Sequence, residues 1–318
     1  MHGLKPSLIP AFLLLSLFAT PGNAQDCDRS CLEGLMQLFQ AALLSHDASG
    51  LPLATNFRYT ENGQDIDLDD GLWKTYSKAS EYQLYVSDPV AGQAAYLSVI
   101  EESDTPVISH FRMQVQNGLI TEMEVLLARG SQGTLENLQV PKPVFMTTLP
   151  VEQRRNRAEM VRITNTYFSG IDEENSGAKV PFSPDCQRQE NGAVLANNSA
   201  APQGSMQRLG CKAQFDTGFS TIVTDIRERR YMVLDEERGL SYAVVFFDHN
   251  GTRKTMGAVG GEVKEVSAPF NRPLTFMIGE LFKIADGQIL QVEAIIVTVP
   301  YGMPSGWNGE DLVSMGQL

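Results

Sequence analysis

The chain has 318 residues and a formal net charge of −13 at pH 7, and 42% of its residues are hydrophobic. This length suits two domains of about 100–200 residues each. A chain this acidic is repelled by nucleic acids and anionic membranes, so neither is expected as a partner. The sequence also lacks a Ser-His-Asp signature, a phosphate-binding loop and a dinucleotide fingerprint, so no cofactor is expected.

Residues 1–24 are typical of a secretory signal peptide. Lys5 supplies the positive charge, residues 8–19 form the apolar run, and the small residues at 22–24 precede a cleavage site. The apolar run is shorter than the roughly 20 residues that a membrane span needs. We predict cleavage near Ala24 and export of a soluble mature chain to the periplasm or the extracellular space.

Two stretches of the sequence recur, in the same order, in the two halves of the chain. Residues 51–63 recur as residues 180–192, with Pro at the second position, an apolar residue at the third and Glu-Asn-Gly at the end. The pair Asn117-Gly118 recurs as Asp286-Gly287. This order indicates a duplicated domain. After the signal peptide we predict a first domain over residues 25–130, a linker over residues 131–150 and a second domain over residues 151–318.

Each half is predicted to hold one long helix, a strand, an irregular segment and a meander of three or four antiparallel strands. Apolar residues at helical spacing predict a first helix over residues 29–45, and Pro150 is expected to start the second helix. Residues 64–92 are expected to be irregular. The predicted strands are 57–61, 93–101, 106–116 and 119–128 in the first half, and 219–234, 240–248, 274–284 and 288–298 in the second. This order predicts an α+β fold with helices on one face of a curved sheet.

Four cysteines remain after the signal peptide: Cys27, Cys31, Cys186 and Cys211. An exported chain meets an oxidising compartment, so an even number of cysteines predicts two disulfides. Of the three possible pairings we favour Cys27–Cys31 and Cys186–Cys211, because each pair then lies within one repeat. A metal site is not expected, because no histidine or second cysteine lies at zinc-finger spacing and the acidic residues 65–70 lack the pattern of a calcium loop.

The residues around Asp47 and Asp172, where a helix gives way to a strand, and the two closing hairpin turns resemble the nuclear transport factor 2-like, or SnoaL-like, superfamily. The match covers residues 27–129 and 151–300. The resemblance implies two tandem cone-shaped repeats, each a long helix packed on a curved antiparallel sheet around a pocket. The chain is also similar to an uncharacterised family of secreted two-repeat proteins from fungi and bacteria. The stretches that carry this second likeness are residues 51–63, 70–73, 180–186, 235–239 and 300–307.

The superfamily includes dehydratases, isomerases, epoxide hydrolases, polyketide cyclases and non-catalytic modules, so the fold alone carries no activity. A pocket with a low-dielectric wall shifts the pKa of an acid or base toward neutrality, which suits proton transfer. The resemblance therefore favours an exported, cofactor-independent lyase or isomerase that acts on a small organic molecule by elimination, hydration, isomerisation or cyclisation. The alternative is a non-catalytic module that binds a small molecule or another protein. A third possibility is that one repeat is catalytic and the other supports it.

Three side chains are the acid–base candidates. His249 ends an apolar strand and shares a face with apolar residues, so its imidazole is expected at the mouth of a pocket, with a pKa near neutrality. Tyr59 has no counterpart in the second copy, where Arg188 stands, and Glu61 has the same strand parity as Tyr59. Each has a structural alternative: a histidine beside a turn, a core tyrosine and a glutamate of the repeated Glu-Asn-Gly turn.

Arg230 and Trp73 are the substrate-binding candidates. Strand alternation places Arg230 with Ile226 on the inward face, where a guanidinium can bind a substrate carboxylate. The alternative for Arg230 is a structural ion pair with Asp216 or Asp235, and the alternative for Trp73 is a cover over the core. His110 alternates with polar residues, which predicts the solvent side of a strand or a subunit interface. The expected partners are therefore a small-molecule ligand and, as a further candidate, a second copy of the chain.

Overall fold

The computed structural model describes residues 27–130 and 135–307, and the predicted signal peptide lies outside them. The described chain forms four layers in the order helix, sheet, sheet, helix. One apolar cluster lies between the first helix and the first sheet, a second between the two sheets, and a third between the second sheet and the second long helix. This arrangement confirms the predicted α+β class.

The two long helices have well-defined starts. Helix α1 (Arg29–Ser45) begins after Asp28, whose side chain accepts a hydrogen bond from the Cys31 N–H at 2.9 Å. Helix α4 (Arg157–Asp172) begins with a capping box between Asn156 and Glu159. It therefore starts later than the predicted position at Pro150, which instead precedes a separate 3-10 turn. No helix in the described ranges combines the length and apolar character that a membrane span needs.

The two sheets have six strands each and the same strand order. The first, ordered β2-β1-β6-β5-β4-β3, contains β1 (Leu53–Glu61), β2 (Gln64–Asp65), β3 (Tyr76–Asp88), β4 (Gln93–Glu102), β5 (Thr105–Gln116) and β6 (Leu119–Ala128). The second, ordered β8-β7-β14-β13-β10-β9, contains β7 (Phe182–Glu190), β8 (Ala193–Val194), β9 (Asp225–Asp235), β10 (Leu240–His249), β13 (Leu274–Ala285) and β14 (Gln288–Val299). Pairing is antiparallel except between β1 and β6 and between β7 and β14. The two sheets therefore share one topology, as the predicted duplication requires.

The smaller elements connect the sheets and helices. They are α2 (Leu72–Thr75), α3 (Pro143–Met146), α5 (Cys211–Phe215) and a two-stranded ribbon of β11 (Thr255–Gly257) and β12 (Val263–Glu265). The expectation that residues 64–92 are irregular was wrong, because they contain the 13-residue strand β3. The pairing of β3 with β4 shifts register twice, so its apolar residues do not alternate regularly along the sequence.

The repeated Glu-Asn-Gly segment closes an open strand edge. Asn62 lies just past β1, and its side-chain amide accepts from the Leu127 N–H at 2.8 Å and donates to the Leu127 carbonyl at 3.2 Å. Asn191 lies just past β7 and makes the same pair of hydrogen bonds with Ile296, at 2.8 and 3.0 Å. In each half an asparagine side chain thus continues the parallel ladder by one step. The repeat is a structural device.

Both predicted disulfides form. Cys27 is bonded to Cys31 at the start of α1, across a sequence separation of 4. Cys186 is bonded to Cys211, across a sequence separation of 25, and ties β7 to α5. None of the described cysteines is free. Each bond lies within one half, as the favoured pairing required, and two disulfides indicate an oxidising environment.

Arg230 lies between the two sheets, which corrects its expected inward position. Glu228 has a φ of 48°, and the register of β9 against β10 shifts at this point. The extra residue of this bulge places Ile226 on the helix side and Arg230 on the side of the first sheet. The fully buried Arg230 donates to both carboxylate oxygens of Glu124, at 3.0 and 2.5 Å. Arg230 therefore forms a structural ion pair, with Glu124 as its partner.

Other polar contacts join the two halves around this pair. Arg112 of the first sheet also donates to Glu124, at 3.3 Å. At the ends of the interface, Arg29 donates to Asp235 at 2.7 and 2.9 Å, and Arg157 donates to Asp88 at 2.7 Å. His110 lies 5.7 Å from Tyr242, ring centroid to ring centroid, within the same layer. The expected solvent or subunit side of β5 is thus the contact between the two sheets of one chain.

The segment that follows β14 returns from the second half to the first. The guanidinium carbons of Arg58 and Arg112 lie 4.4 and 4.6 Å from the ring centroid of Trp307. Arg227 of the second half donates to the Met303 carbonyl at 2.6 Å. Trp307 is buried, with 6% of its surface exposed. This segment therefore covers cations of the first sheet while remaining attached to the second.

Candidate functional site

The second half encloses a cavity of about 270 Å³ between α4 and its sheet. Most of its wall is apolar, and the polar groups that reach it are Tyr167, Arg188, Glu190, His249 and Glu280. A cavity of this kind, mostly apolar with a few convergent polar groups, is the usual form of a small-molecule site. We therefore call the cavity and its lining the pocket.

The pocket owes part of its space to one row of cross-strand neighbours in the second sheet. Ala243, Glu280, Ala294 and Glu190 are direct cross-strand neighbours on β10, β13, β14 and β7. Two alanines in this row leave space that larger side chains would fill. Neighbouring strands lie about 4.8 Å apart, so the backbones of Glu280 and Glu190 are about 10 Å apart, with Ala294 between them.

The equivalent row of the first sheet is filled. Tyr96, Phe111, Val125 and Glu61 are cross-strand neighbours on β4, β5, β6 and β1. The rings of Tyr96 and Phe111 lie 5.8 Å apart, and both side chains are almost fully buried. The same backbone frame therefore holds a solid core in the first half and a pocket in the second.

Glu280 is the most perturbed acid of the pocket. Only 3% of its surface is exposed, and its Oε2 has no hydrogen-bond partner among the described residues. Burial raises the pKa of Glu280 to about 8, against the opposing effect of Arg188. The carboxyl group is therefore mostly protonated at pH 7 and can donate a hydrogen bond into the pocket.

Arg188 places a fixed positive charge beside Glu280. It donates to Gln214 Oε1 at 2.7 Å and to Glu190 Oε1 at 2.5 Å, while its Nε has no partner within the described ranges. Burial opposes the charged form, but the neighbouring Tyr167, Glu190 and Glu280 raise the pKa of Arg188 overall. The phenol of Tyr167 interacts with both Arg188 and Glu280, and burial raises its pKa well above the ordinary value. Arg188 and Glu280 thus offer two hydrogen-bond donors at one end of the pocket.

His249 lies at the other end of the pocket. It is six residues beyond Ala243 on β10, about 20 Å along the strand at the usual rise per residue. Its ring lies 5.0 Å from Phe270 and 5.1 Å from Phe276, between centroids, and is 2% exposed. Burial lowers the pKa of His249 to about 4, so the imidazole is neutral at pH 7. The predicted position at a pocket agrees with the structure, whereas the expected pKa near neutrality does not.

Tyr59 and Glu61 lie in the filled half. The Tyr59 hydroxyl donates to Glu61 Oε1 at 2.6 Å, and the same oxygen accepts a hydrogen bond from the Leu72 N–H. Arg129 donates to Glu61 Oε2 at 3.3 Å. Both carboxylate oxygens are therefore engaged within the protein, and the structure brings neither Tyr59 nor Glu61 near His249.

Trp73 also lies in the core of the first half. It is 4% exposed and makes an edge contact with Phe39 of α1, with ring centroids 5.8 Å apart. The alternative, a cover over the core, describes its position. With Arg230 held by Glu124, neither expected substrate-binding residue lines the pocket.

Glu280, Arg188 and Tyr167 were not among the predicted site residues. The sequence signal for Glu280 was a single acidic residue within the apolar strand β13, and the signal for Arg188 was its mismatch with Tyr59. Nothing in the sequence marked Tyr167 as a site residue, because an aromatic residue on the apolar face of a helix is expected to lie in the core. Within the described residues, no group of His, Cys, Asp or Glu side chains could hold a metal ion.

Comparison with known proteins identifies a family model and distant structures. The model for a domain of unknown function (DUF8021) matches residues 153–296, less than half of the chain but the part that contains Tyr167, Arg188, His249 and Glu280. No curated protein matches.

Two solved structures show limited similarity. A nuclear transport factor 2-like protein of unknown function from Cytophaga hutchinsonii is 13% identical, with a TM-score of 0.26, and the match covers 30% of this chain and 89% of that protein. AclR, a proposed hydroxylase from Streptomyces galilaeus, is 14% identical, with a TM-score of 0.27, and the match covers 45% of this chain and 91% of AclR. Similarities this low carry no conclusion about activity.

Proposed function

We propose that the second half is the catalytic site of a cofactor-independent lyase or isomerase that transfers a proton on a small carbonyl compound. The observation that carries the proposal is the row Glu280–Ala294–Glu190, in which two carboxyl groups flank a gap in a buried pocket beside Arg188. Paired carboxyl groups in different environments are the usual means of combining an acid and a base in one site. Catalysis thus moves from the predicted His249, Tyr59 and Glu61 to Glu280 and Glu190.

The proposed reaction begins with a substrate carbonyl oxygen at the donor end of the pocket. The oxygen accepts hydrogen bonds from Arg188 Nε and from the protonated Glu280. Glu190 then removes a proton from the carbon next to the carbonyl, and the electron pair of the broken C–H bond forms an enolate, stabilised by the two donors. Return of the proton to another carbon completes an isomerisation, and loss of a leaving group with this electron pair completes an elimination.

The first half has a supporting role in this proposal. Its row is filled by Tyr96, Phe111 and Val125, and the carboxylate of Glu61 is engaged by Tyr59, Leu72 and Arg129. It also supplies Glu124, which neutralises the buried Arg230 of the second half. This corresponds to the possibility that one repeat is catalytic and the other supports it.

Hydrogen–deuterium exchange tests the proposed chemistry without knowledge of the natural substrate. Benzylacetone, acetophenone and cyclohexanone would be incubated with the protein in deuterium oxide, and loss of the proton signal next to the carbonyl followed by NMR. We expect faster exchange than in buffer for at least one ketone, and a loss of about 100-fold in Glu190→Gln.

The matched control is Glu61→Gln, at the equivalent position of the first half, which should leave the exchange rate unchanged. An equal loss in both variants would overturn the assignment of the second half. Exchange no faster than in buffer for all three ketones would overturn the catalytic proposal and favour a binding module.

We also propose that the chain acts outside the cytosol, in the periplasm or the extracellular space. The two disulfides support an oxidising compartment. Expression with residues 1–24 in a secreting host, followed by intact-mass measurement, should give a chain that starts at Gln25 and has no thiol open to alkylation. A retained N-terminus would contradict cleavage.

A further inference from the structure

A second cavity adjoins the pocket, between the two halves of the chain. This groove has a volume of about 690 Å³ and is lined by residues of both sheets. Four residues of the second half line both the pocket and the groove: Glu190, Phe270, Phe276 and Ile296. The groove therefore begins at the wall where the pocket ends.

The first half supplies the opposite side of the groove. Asn62, Leu127, Ala128 and Arg129 line it from the end of β6 and the turn after β1. Among the described residues, β7 pairs with β14 only as far as Glu190, and the Asn191 side chain continues the pairing at Ile296. The groove thus lies beside two strand edges, at the point where each ladder ends in an asparagine side chain.

The charges of the groove are balanced within the protein. Arg129 donates to Glu102 at 2.5 and 2.7 Å and to Glu61 at 3.3 Å. Glu190 is held by Arg188. Neither arginine is left as an unopposed cation, and the net charge of −13 repels anions. These charges disfavour an anionic ligand, and the amide and hydroxyl side chains that line the groove (Asn62, Asn191 and Thr298) suit an uncharged ligand that forms hydrogen bonds.

We propose that the natural ligand is an amphipathic conjugate whose apolar, carbonyl-bearing head lies in the pocket and whose uncharged, hydroxyl-rich tail lies in the groove against the first half. This inference rests on the proposed function for the position of the head. The pocket, at about 270 Å³, holds only a small head, whereas the groove, at about 690 Å³, is larger and mixed in polarity. The first half is then the wall that recognises the tail.

Three probes that differ only in the tail test this inference. They are para-hydroxybenzylacetone, its O-glucoside and its O-glucuronide, with binding to the full chain measured by isothermal titration calorimetry. The glucoside should bind about tenfold more tightly than the parent ketone, since its sugar adds hydrogen bonds in the groove. The glucuronide, which adds a carboxylate, should bind no more tightly than the parent.

A variant that blocks the groove tests whether the tighter binding of the glucoside arises there. Ala193 is half-buried and lines the groove but not the pocket. Ala193→Trp should lower the affinity for the glucoside to that for the parent ketone, and it should leave the affinity for the parent ketone unchanged. Ala178→Trp, at an exposed position outside both cavities, should retain the gain.

The inference is overturned if the glucoside binds no more tightly than the parent, if the glucuronide binds best, or if Ala193→Trp retains the gain. Deuterium exchange on the same probes separates the two proposals. A glucoside gain without exchange removes the catalytic proposal and leaves tail recognition standing. Deuterium exchange without tighter binding of the glucoside removes the proposal of tail recognition and leaves the catalytic proposal standing.

Discussion

The two halves of this chain share a frame and differ in what the frame encloses. In the first half the row Tyr96–Phe111–Val125 fills the space under α1, and in the second half the row Ala243–Glu280–Ala294 leaves it open under α4. Strand order and pairing are the same in both. Three side chains at equivalent positions therefore contribute to the difference between a core and a pocket. Segments that only the second half has, which supply Met206, Met256 and Phe270 to the lining, contribute the rest.

The buried carboxyl group of the pocket lowers the stability of the second half, and the first half has no equivalent of it at this position. Glu280 is a buried carboxyl group with an unpaired oxygen, in place of a ring that contacts Tyr96. Polar groups left without partners in a low-dielectric interior destabilise the folded state. The filled half and the shared interface offset this cost. Stability and function are thus divided between the halves, as is common where an active site is strained or desolvated.

The largest expected effect concerns the contact between the halves. Glu124→Leu leaves Arg230 and Arg112 buried without this carboxylate and should lower the free energy of unfolding by about 5 kcal/mol, measured by urea denaturation. The exposed pair Lys179–Glu174 gives the control, since Lys179→Ala should change stability by less than about 1 kcal/mol. A small effect of Glu124→Leu would mean that the halves are stable independently of this pair.

The next effect compares one position in the two halves. Phe111→Ala removes a buried ring from the filled core and should cost about 4 kcal/mol. Glu280→Ala, at the equivalent position, removes a buried carboxyl group and should change stability by less than about 1 kcal/mol at pH 5, where that group is protonated in the folded chain. Thermal and urea unfolding of both variants check the contrast. Equal costs would show that the second half is as tightly filled as the first.

The two disulfides should also differ in their contribution. In the chain-entropy model, the separation of 25 between Cys186 and Cys211 corresponds to about 3.5 kcal/mol, and the separation of 4 between Cys27 and Cys31 to about 2 kcal/mol. Replacing each pair by alanines and measuring urea unfolding tests the order. A larger loss at the first pair would indicate that this bond acts mainly by fixing the start of α1.

The last prediction concerns a dependence of stability on pH. The pKa of Glu280 is about 8 in the folded chain, against an ordinary value of 4.5. Below pH 4.5 both states carry the proton. As the pH rises toward 8 only the unfolded state releases it, so the free energy of unfolding falls. Glu280→Gln should remove this fall, which the shift from 4.5 to about 8 makes roughly 3.5 kcal/mol between pH 5 and pH 8.

The matched control for the pH effect is Phe111→Leu in the first half. It should lower stability by the same amount at every pH, because no titrating group is changed. Parallel curves for the parent and Glu280→Gln would mean that the carboxyl group ionises normally, with water reaching it in the pocket.

Much of the fold could be predicted because its signals are local. Residues 29–45 carry their apolar residues at helical spacing, and Asn117-Gly118 and Asp286-Gly287 mark hairpins from two residues each. The repeated Glu-Asn-Gly stretch marked equivalent positions in two halves that share one strand order. Strand β3 was missed because its bulges break the alternation on which strand prediction depends. Arg230 was misplaced for the same reason, since one inserted residue at Glu228 reverses the faces.

The candidate site was harder to predict because it depends on register. Glu280 stands out as the acidic residue of β13. The space beside it depends on Ala243 and Ala294, which become its neighbours only when β10, β13 and β14 pair. The surroundings of His249 were also hard to predict, because they come from a distant part of the sequence. Its position facing a pocket followed from alternation along β10, whereas its low pKa follows from Phe270 and Phe276, which come from a later segment.

The position of Trp307 has a consequence for how the chain matures. A ribosome completes the first sheet long before it makes the segment that follows β14, yet this segment places Trp307 over Arg58 and Arg112. Arg58 and Arg112 can therefore be covered by Trp307 only after the segment that follows β14 has been synthesised. Truncation just after Val299 would deprive the first-made half of a cover although its own sequence is intact.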